Sequence, residues 1–381
     1  SPADDGGNNV YDITIAFTDG TNDLGAQTTA ITVTDVNDQT PTYTAGTTTI
    51  SVAEGSSANI DSFSITDTDT VGTLACAESG ADADDFTCAI SGSTLTITWT
   101  NTPNYEVPAD DGGNNVYAYT ITVGDGTNDA SSTTYAVTVT DVNDQTPTYS
   151  SSDTTPSVNE GTTAVETLTV TDTDTGDSNA CTLGGADASS FACTVSGDSV
   201  SLAFSSAPNY ESPGSADSDN DYAVTVTISD GTNTGSTISY TVSVADTNDQ
   251  TPAVTVAATY SQAESSATTF QTYTIVDSDT AGTYSCTLGG TDAADFSTSI
   301  SGKVCTVTWA SAPDYDSAAD SGGNNVYDIT LAFSDGTNTL SAQTTAVTVT
   351  DVNDQTPAVT VAAAYNHAEA ASTAFMAFTM V

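Results

Sequence analysis

The sequence predicts an all-β chain of tandem antiparallel β-sandwich modules, and three observations carry that prediction. A seven-residue word, Asp-Val-Asn-Asp-Gln-Thr-Pro, stands at 35–41, 141–147 and 351–357, and with Thr in place of Val at 246–252. The words are 106, 105 and 105 residues apart, a domain-sized period. Between them run short stretches that alternate apolar and polar residues, punctuated by Gly, Asp and Asn turn signals, with no helical periodicity of useful length. Finally, the six cysteines fall two per period. The chain therefore divides into 1–41 (the end of a module and its joint), full modules at 42–147, 148–252 and 253–357, and the start of another at 358–381. A window that opens and closes within a module reads as a slice of a longer array.

Taken in order, Tyr11–Phe17 and Ala30–Thr34 alternate on either side of an Asp19-Gly20 turn and form two half-buried antiparallel strands. The proline closing each joint fixes φ and disfavours helix in the residue before it, so the joint is extended. The first full module opens with an edge strand at Thr49–Val52, then Glu54-Gly55, then a strand through Phe63-Ser-Ile that ends in Asp67-Thr-Asp69. A strand through Cys76 follows, then a hairpin from Phe86 to Trp99 with Leu95, Ile97 and Trp99 on one face. Asn104-Tyr-Glu106, a Gly- and Asn-rich loop at 109–115, a strand at Val116–Val123, an Asp125-Gly126 turn and a strand at Tyr135–Thr140 complete it. About seven strands per module describe a sandwich, with Trp99 and Trp309 in its core. Modules two and three repeat the order, and 358–381 repeats the first two strands.

The cysteines pair as Cys76 with Cys88, Cys181 with Cys193 and Cys286 with Cys305. The third pair breaks the 12-residue spacing of the others. Thr298 stands where Cys88 does; with Ser301-Gly302 as a two-residue hairpin turn, Cys305 lies opposite Thr298 on the facing strand. Independent thiols have no reason to relocate across a ladder in this way. Three disulfides within modules, and an oxidising extracellular compartment, follow.

Charge sets the function classes. There are 50 acids, Lys303 is the only basic residue besides the one histidine, and the net charge is −49. Nucleic acid and anionic membrane are excluded as direct partners. No apolar run approaches the roughly 20 residues of a membrane helix, so no direct membrane insertion is expected of this segment. The acids also recur in place. Eight in the joints, four early glutamates (Glu54, Glu160, Glu264, Glu369), six in Asp-x-Asp pairs (67/69, 172/174, 277/279), four in x-Tyr-acid triplets (104–106, 209–211, 314–316) and four at Asp-Gly turns (Asp19, Asp125, Asp230, Asp335) make 26 of the 50. A merely solvated, salt-adapted surface accounts for the charge but not for this register.

In that order of motifs, over the whole chain, the sequence resembles tandem cadherin-type repeats, closer to Thr- and Asp-rich microbial surface proteins than to animal cadherins. The resemblance implies seven-stranded Greek-key sandwiches of the cadherin/Ig-like kind arranged as a rod, with up to three Ca²⁺ at each junction. Carried over by position, the 141 junction takes Glu54, Asn104 and Glu106 from the preceding repeat, Asp141, Asn143 and Asp144 from the joint, and Asp172, Asp174 and Asp230 from the following one. The 246 junction takes Glu160, Asn209, Glu211, Asp246, Asn248, Asp249, Asp277, Asp279 and Asp335. At the 35 junction the chain shows Asp35, Asn37, Asp38, Asp67, Asp69 and Asp125; at the 351 junction it shows Glu264, Asp314, Asp316, Asp351, Asn353 and Asp354. Two departures bear on ion number and affinity: Asn heads the triplet in modules one and two, and Gln145 and its equivalents stand where the family usually has a ligating asparagine.

Electrostatics points the same way as the resemblance. Seven carboxylates gather at the 141 junction, and at spacings of about 4–6 Å each pair repels by about 3–4 kcal/mol at an effective dielectric of 20. Hard oxygens in such number suit calcium, which takes six to eight. The expected function is an extracellular calcium-binding structural or adhesive rod, with calcium, copies of itself or a cell-surface ligand as partners. Lateral or homophilic assembly into a filament or sheath is the alternative, favoured by any long patch of exposed aromatics, above all Tyr. The loop at 110–115 reads as a glycine-permitted turn rather than a further ion site. His367 reads as a bystander, because no nucleophile and orienting partner accompany it, and no enzyme constellation is found.

Overall fold

The computed structural model describes residues 4, 6–265, 268–359, 361 and 369. His367 and the two strands expected within 358–381 lie outside the described residues. A hairpin of β1 (Val10–Thr18) and β2 (Asp23–Thr32) precedes the first joint. Its Ile13, Ile15, Phe17 and Ile31 are exposed, whereas their counterparts Ile329, Leu331, Phe333 and Val347 are buried, because only in the third repeat do further strands cover them.

The first full repeat is built from β3 (Thr42–Tyr43), β4 (Thr49–Ala53), β5 (Asp61–Thr66), β6 (Ala75–Ser79), β7 (Phe86–Ser91), β8 (Thr94–Trp99), β9 (Val116–Gly124) and β10 (Thr133–Thr140). They form two sheets, β4-β10-β9-β6 and β3-β5-β8-β7. The second repeat has β11 (Ser157–Asn159), β12 (Ala164–Thr169), β13 (Ala180–Gly184), β14 (Phe191–Ser196), β15 (Ser199–Phe204), β16 (Asp221–Ser229) and β17 (Ile238–Ala245). The third has β18 (Thr259–Ala263), β19 (Thr269–Thr274), β20 (Ser285–Gly289), β21 (Phe296–Ser301), β22 (Val304–Trp309), β23 (Val326–Ser334) and β24 (Thr339–Thr350). Both repeat the two-sheet order, with the short first strand reduced to a single bridge, Thr148–Thr171 and Ala253–Val276.

Period-two alternation decides what each strand buries. Along β9, Tyr117, Tyr119, Ile121 and Val123 face inward and are essentially solvent-free, against Phe63, Phe86, Leu95 and Ile97 of the facing sheet. Each such side chain contributes about 1.5–3 kcal/mol on burial. Trp309 is buried and Trp99 partly so, each packed on a phenylalanine, with ring centroids 4.6 Å apart for the stacked Phe86–Trp99 pair and 4.1 Å for the tilted Phe296–Trp309 pair. Phe204 takes the tryptophan's place in the second repeat, at 4.4 Å from Phe191.

The sandwiches are not wholly antiparallel. β4 pairs in parallel with β10, β11 with β17 and β18 with β24. Alternation reveals which face a residue takes but not the direction of the neighbouring strand, so the sequence pattern could not disclose this. The consequence is large: the register Thr140–Ala53 sets Glu54 beside the joint that follows Thr140, and Ala245–Asn159 and Thr350–Ala263 do the same for Glu160 and Glu264.

All three disulfides are formed, each tying the two sheets together, with Cα atoms 6.4, 6.2 and 6.1 Å apart; the first two join edge strands, whereas the third runs from the edge strand β20 to the central strand β22. The third forms in a register that differs from the expected one. The two-residue turn is Gly302-Lys303, so Thr298 faces Val307, and Cys305 faces Ile300. The two-residue shift keeps Cys305 on the inward face, diagonal to Thr298, where it still reaches Cys286; the Thr298 hydroxyl donates to the Cys286 carbonyl at 3.1 Å. Glycine is required in that turn, where Gly92, Gly197 and Gly302 have φ of 62°, 58° and 56°.

The 109–115 loop is closed by carboxylate capping. Asp110 accepts the N–H groups of Asn114 and Asn115 at 2.9 and 3.0 Å, and Asp82 accepts those of Asp111 and Ala118 at 2.7 and 2.6 Å. All four oxygens are thereby occupied, as a turn requires and an ion site does not. Among the described residues, no helix is long and apolar enough to cross a membrane. Replacing both cysteines in Cys181→Ser/Cys193→Ser is expected to cost the second repeat about 3 kcal/mol, from the loop entropy restored to its unfolded chain. In urea, one repeat's transition should move to lower denaturant, and an unmoved transition would contradict this role.

Candidate metal centre

Each joint is gripped first by the repeat that precedes it. Glu54, buried to 7% exposure, accepts the N–H of Tyr105 at 2.7 Å and that of Val142 at 2.8 Å, so one carboxylate clamps the triplet to the joint. Glu160 does this for Tyr210 (2.9 Å) and Thr247 (2.7 Å), and Glu264 for Tyr315 (2.5 Å) and Val352 (2.7 Å). The triplet's first residue turns to local work: Asn104, Asn209 and Asp314 accept the N–H three residues on at 2.6, 2.7 and 3.0 Å.

The following repeat grips the joint from the other side. The N–H groups of Gln39, Gln145 and Gln250 donate to Asp69, Asp174 and Asp279 at 2.7, 2.8 and 2.9 Å. The glutamine amides fold back onto the preceding Asp38, Asp144, Asp249 and Asp354 at 2.6–3.1 Å. Asp35, Asp141 and Asp246 accept both the N–H and the hydroxyl of Thr70, Thr175 and Thr280. Asp125, Asp230 and Asp335 each accept two N–H groups of their own turn through Oδ1, at 2.6–2.8 Å. The Asn37, Asn143 and Asn248 amides reach the Asp125, Asp230 and Asp335 carbonyls at 3.2–3.4 Å.

The clamping glutamates spend both oxygens in these bonds, but Asp141, Asp174 and Asp230, with their counterparts Asp246, Asp279 and Asp335, spend one and leave the other bare. At the 141 junction, seven buried oxygens accept no hydrogen bond: both of Glu106, Asp141 Oδ1, Asp172 Oδ2, Asp174 Oδ1, Asp177 Oδ2 and Asp230 Oδ2. At the 246 junction the seven are both of Glu211, Asp246 Oδ1, Asp277 Oδ2, Asp279 Oδ1, Asp335 Oδ2 and Asn248 Oδ1. Burying charged oxygens without donors is expensive unless a cation closes them. The groups converge: Glu54, Glu106 and Asp144 offer atoms within 4.8 Å of one another, as do Glu106, Asp141 and Asp174; Asp172, Asp177 and Asp230; Glu160, Glu211 and Asp246; and Asp67, Asp69 and Asp125. A set of six or seven hard oxygens, mostly anionic, fits a calcium-sized divalent cation by its donor chemistry.

Titration follows the same geometry. Burial, with repulsion from Glu54 and Asp174, pushes Glu106 up to about 7; burial, with Glu160 and Asp279, pushes Glu211 up to about 7. Burial also raises Asp174 and Asp279. Against its burial, Asp230 is held below the usual carboxylate range by the N–H groups of Asn233 and Thr232. At the 351 junction, partial desolvation and the neighbouring Asp316 and Glu264 raise Asp351, which is exposed, as are Asn353 and Asp354.

Three sets of residues escaped the sequence reading. Thr70, Thr175 and Thr280 follow every Asp-x-Asp and so carried a repeat signal. Asp82, Asp187 and Asp292 stand in a repeated Gly-x-Asp-Ala-x-x-Phe word, where the glycine lies so close to the next strand that a Cβ on Gly80 would sit 2.6 Å from the Ala118 carbonyl. Asp177 occurs in one repeat alone, so no repetition could reveal it.

No protein-family model matches the chain, and no curated protein does either. Solved structures do. Over 90% of its length, and 84% of that chain, this protein superposes on a protocadherin gammaB7 EC3-6 cis-dimer structure with TM-score 0.57 at 20% identity. For the protocadherin gammaB4 extracellular domain, the figures are 92%, 55%, 0.60 and 20%. For mouse cadherin-23 EC22-24 they are 83%, 100%, 0.53 and 18%. The fold is that of tandem cadherin-like β-sandwich repeats.

The raised glutamates give a pH signature in excess chelator. The folded chain holds protons on Glu106 and Glu211 that the unfolded chain releases near 4.5, so stability is full below that value and falls as pH rises towards about 7. Melting temperature should decline across this window and flatten in Glu106→Gln/Glu211→Gln. A rising profile would contradict the assignment.

Proposed function

We propose that this chain is an extracellular calcium-binding rod, structural or adhesive, in which Ca²⁺ at each junction stiffens a stalk or surface fibre. The seven bare, buried oxygens at each complete junction carry the reading. Bound there, the ion supplies positive charge that cross-links carboxylates of two successive repeats. The chain's own part is to hold the ligands ready: Glu54 and Glu160 clamp the joints from below, while Thr175 and Thr280 orient Asp141 and Asp246 from above. Both complete junctions have Asp141, Asp174 and Glu106, or Asp246, Asp279 and Glu211, as central ligands in this reading. Asn104 and Asn209, whose amide oxygens cap local turns, contribute least. The disulfides fit the extracellular setting. The Asp-rich, Lys-poor composition fits a microbial surface protein, and in our reading nothing here performs catalysis.

Lateral or homophilic assembly draws less support. In the three full repeats Tyr315, at 38%, is the only aromatic among the exposed large hydrophobic residues, so the tyrosines make no exposed stripe among the described residues.

Thermal melting and small-angle scattering, in millimolar calcium and then in excess chelator, test the reading. A large fall in melting temperature with a shorter or broader particle is expected on chelation. Unchanged melting and length would mean that the acids serve as surface charge.

A further inference from the structure

We propose that the two complete junctions are unequal cation sites, and that Asp177 makes the 141–147 joint the stronger. This rests on the calcium reading above and deepens it. Each junction has seven bare oxygens, but the seventh differs: a carboxylate, Asp177 Oδ2, at one, and an amide, Asn248 Oδ1, at the other.

The exchange is structural and not a bare substitution. In the first and third repeats the position of Asp177 is glycine. A Cβ on Gly72 would lie 2.6 Å from the Asn37 amide nitrogen, and one on Gly282 would lie 3.1 Å from the Asp335 carbonyl. Both glycines have positive φ, 106° and 146°, a conformation that disfavours side chains. In the second repeat the joint asparagine makes a different contact: the Asn233 amide donates to Asn143 Oδ1 at 2.9 Å, taking the oxygen that stays bare in Asn37 and Asn248. Asp177 then meets Asp172 and Asp230, with ligand atoms of all three within 4.8 Å. Asp230 is itself only 3% exposed, and its Oδ2 has no other partner. Three carboxylates thus converge at the 141 junction, whereas the bare oxygens of the matching residues at the 246 junction belong to two carboxylates, Asp277 and Asp335, and to the Asn248 amide.

Lys303 widens the difference. It donates to the Asp277 and Asp279 carbonyls at 2.7 and 3.3 Å, placing the chain's one ammonium against the Asp-x-Asp loop of the 246 junction. The same hairpin-turn position in the second repeat is Asp198, after Gly197. Between these two positions, 177/282 and 198/303, the local charge differs by three units in favour of a cation at the 141 junction. Calcium affinity in oxygen sites is graded by ligand charge, so calcium fills the 141–147 joint first and that joint stiffens at concentrations that leave 246–252 mobile.

Hydrogen–deuterium exchange of the full chain across a calcium titration resolves the joints separately. The amides of Val142, Gln145 and Thr175 report on one, and those of Thr247, Gln250 and Thr280 on the other. Protection at the first set should arrive at lower calcium than at the second. Asp177→Asn, which keeps the shape, should raise the first midpoint about tenfold and leave the second unmoved; Lys303→Gln should lower the second alone. Coincident midpoints in the parent, or an order unchanged by Asp177→Asn, would overturn the proposal while the calcium reading stood. If neither set responds to calcium, both fall together.

Discussion

Carboxylates with one oxygen fixed and the other bare are the constraint around which each repeat is built. A carboxylate held by backbone N–H groups cannot swing away from its neighbours, so repulsion is concentrated at the joint instead of relaxing into solvent. Asp141 is fixed by Thr175, Asp174 by the Gln145 N–H and Asp230 by its own turn, and all three turn an unpaired oxygen inward. Such preorganisation lowers the reorganisation needed to accept a cation, and it makes the same joint poorly stable without one.

The sandwich exists to deliver these groups. Parallel pairing of the first and last long strands brings the early glutamate to the C-terminal end of its repeat, beside the outgoing joint. The Asp-x-Asp pair and the Asp-Gly turn emerge at the opposite end, where the incoming joint arrives. A repeat therefore presents one set of joint-facing carboxylates at each end, and the joint proline keeps the linker extended between them. The disulfides link the two sheets across cores of only a dozen or so large side chains, where a cross-link counts for more than it would in a large domain.

Much of this was legible in the residues because it is local or repeated. Strand positions followed from alternation, as at Val116–Val123, and the acid sets followed from the period. What escaped was relational. The direction of β4 against β10 leaves no trace in either strand. The Gly302-Lys303 turn was placed one residue early, because Ser-Gly and Gly-Lys both suit a two-residue loop; the resulting slip of two kept the facing side correct and the opposing residue wrong. Asp177 broke the repeat pattern, and a reading that trusts repetition passes over a residue that occurs once.

The calcium proposal turns on whether a cation closes the bare oxygens. A crystal structure of the chain grown in calcium, phased to reveal anomalous scattering, tests it most directly. The prediction is anomalous peaks at both complete junctions, about 2.3–2.6 Å from the free oxygens of Asp141, Asp174 and Asp230, and of Asp246, Asp279 and Asp335. Well-ordered joints whose carboxylates are met only by water, with no anomalous signal, would contradict it.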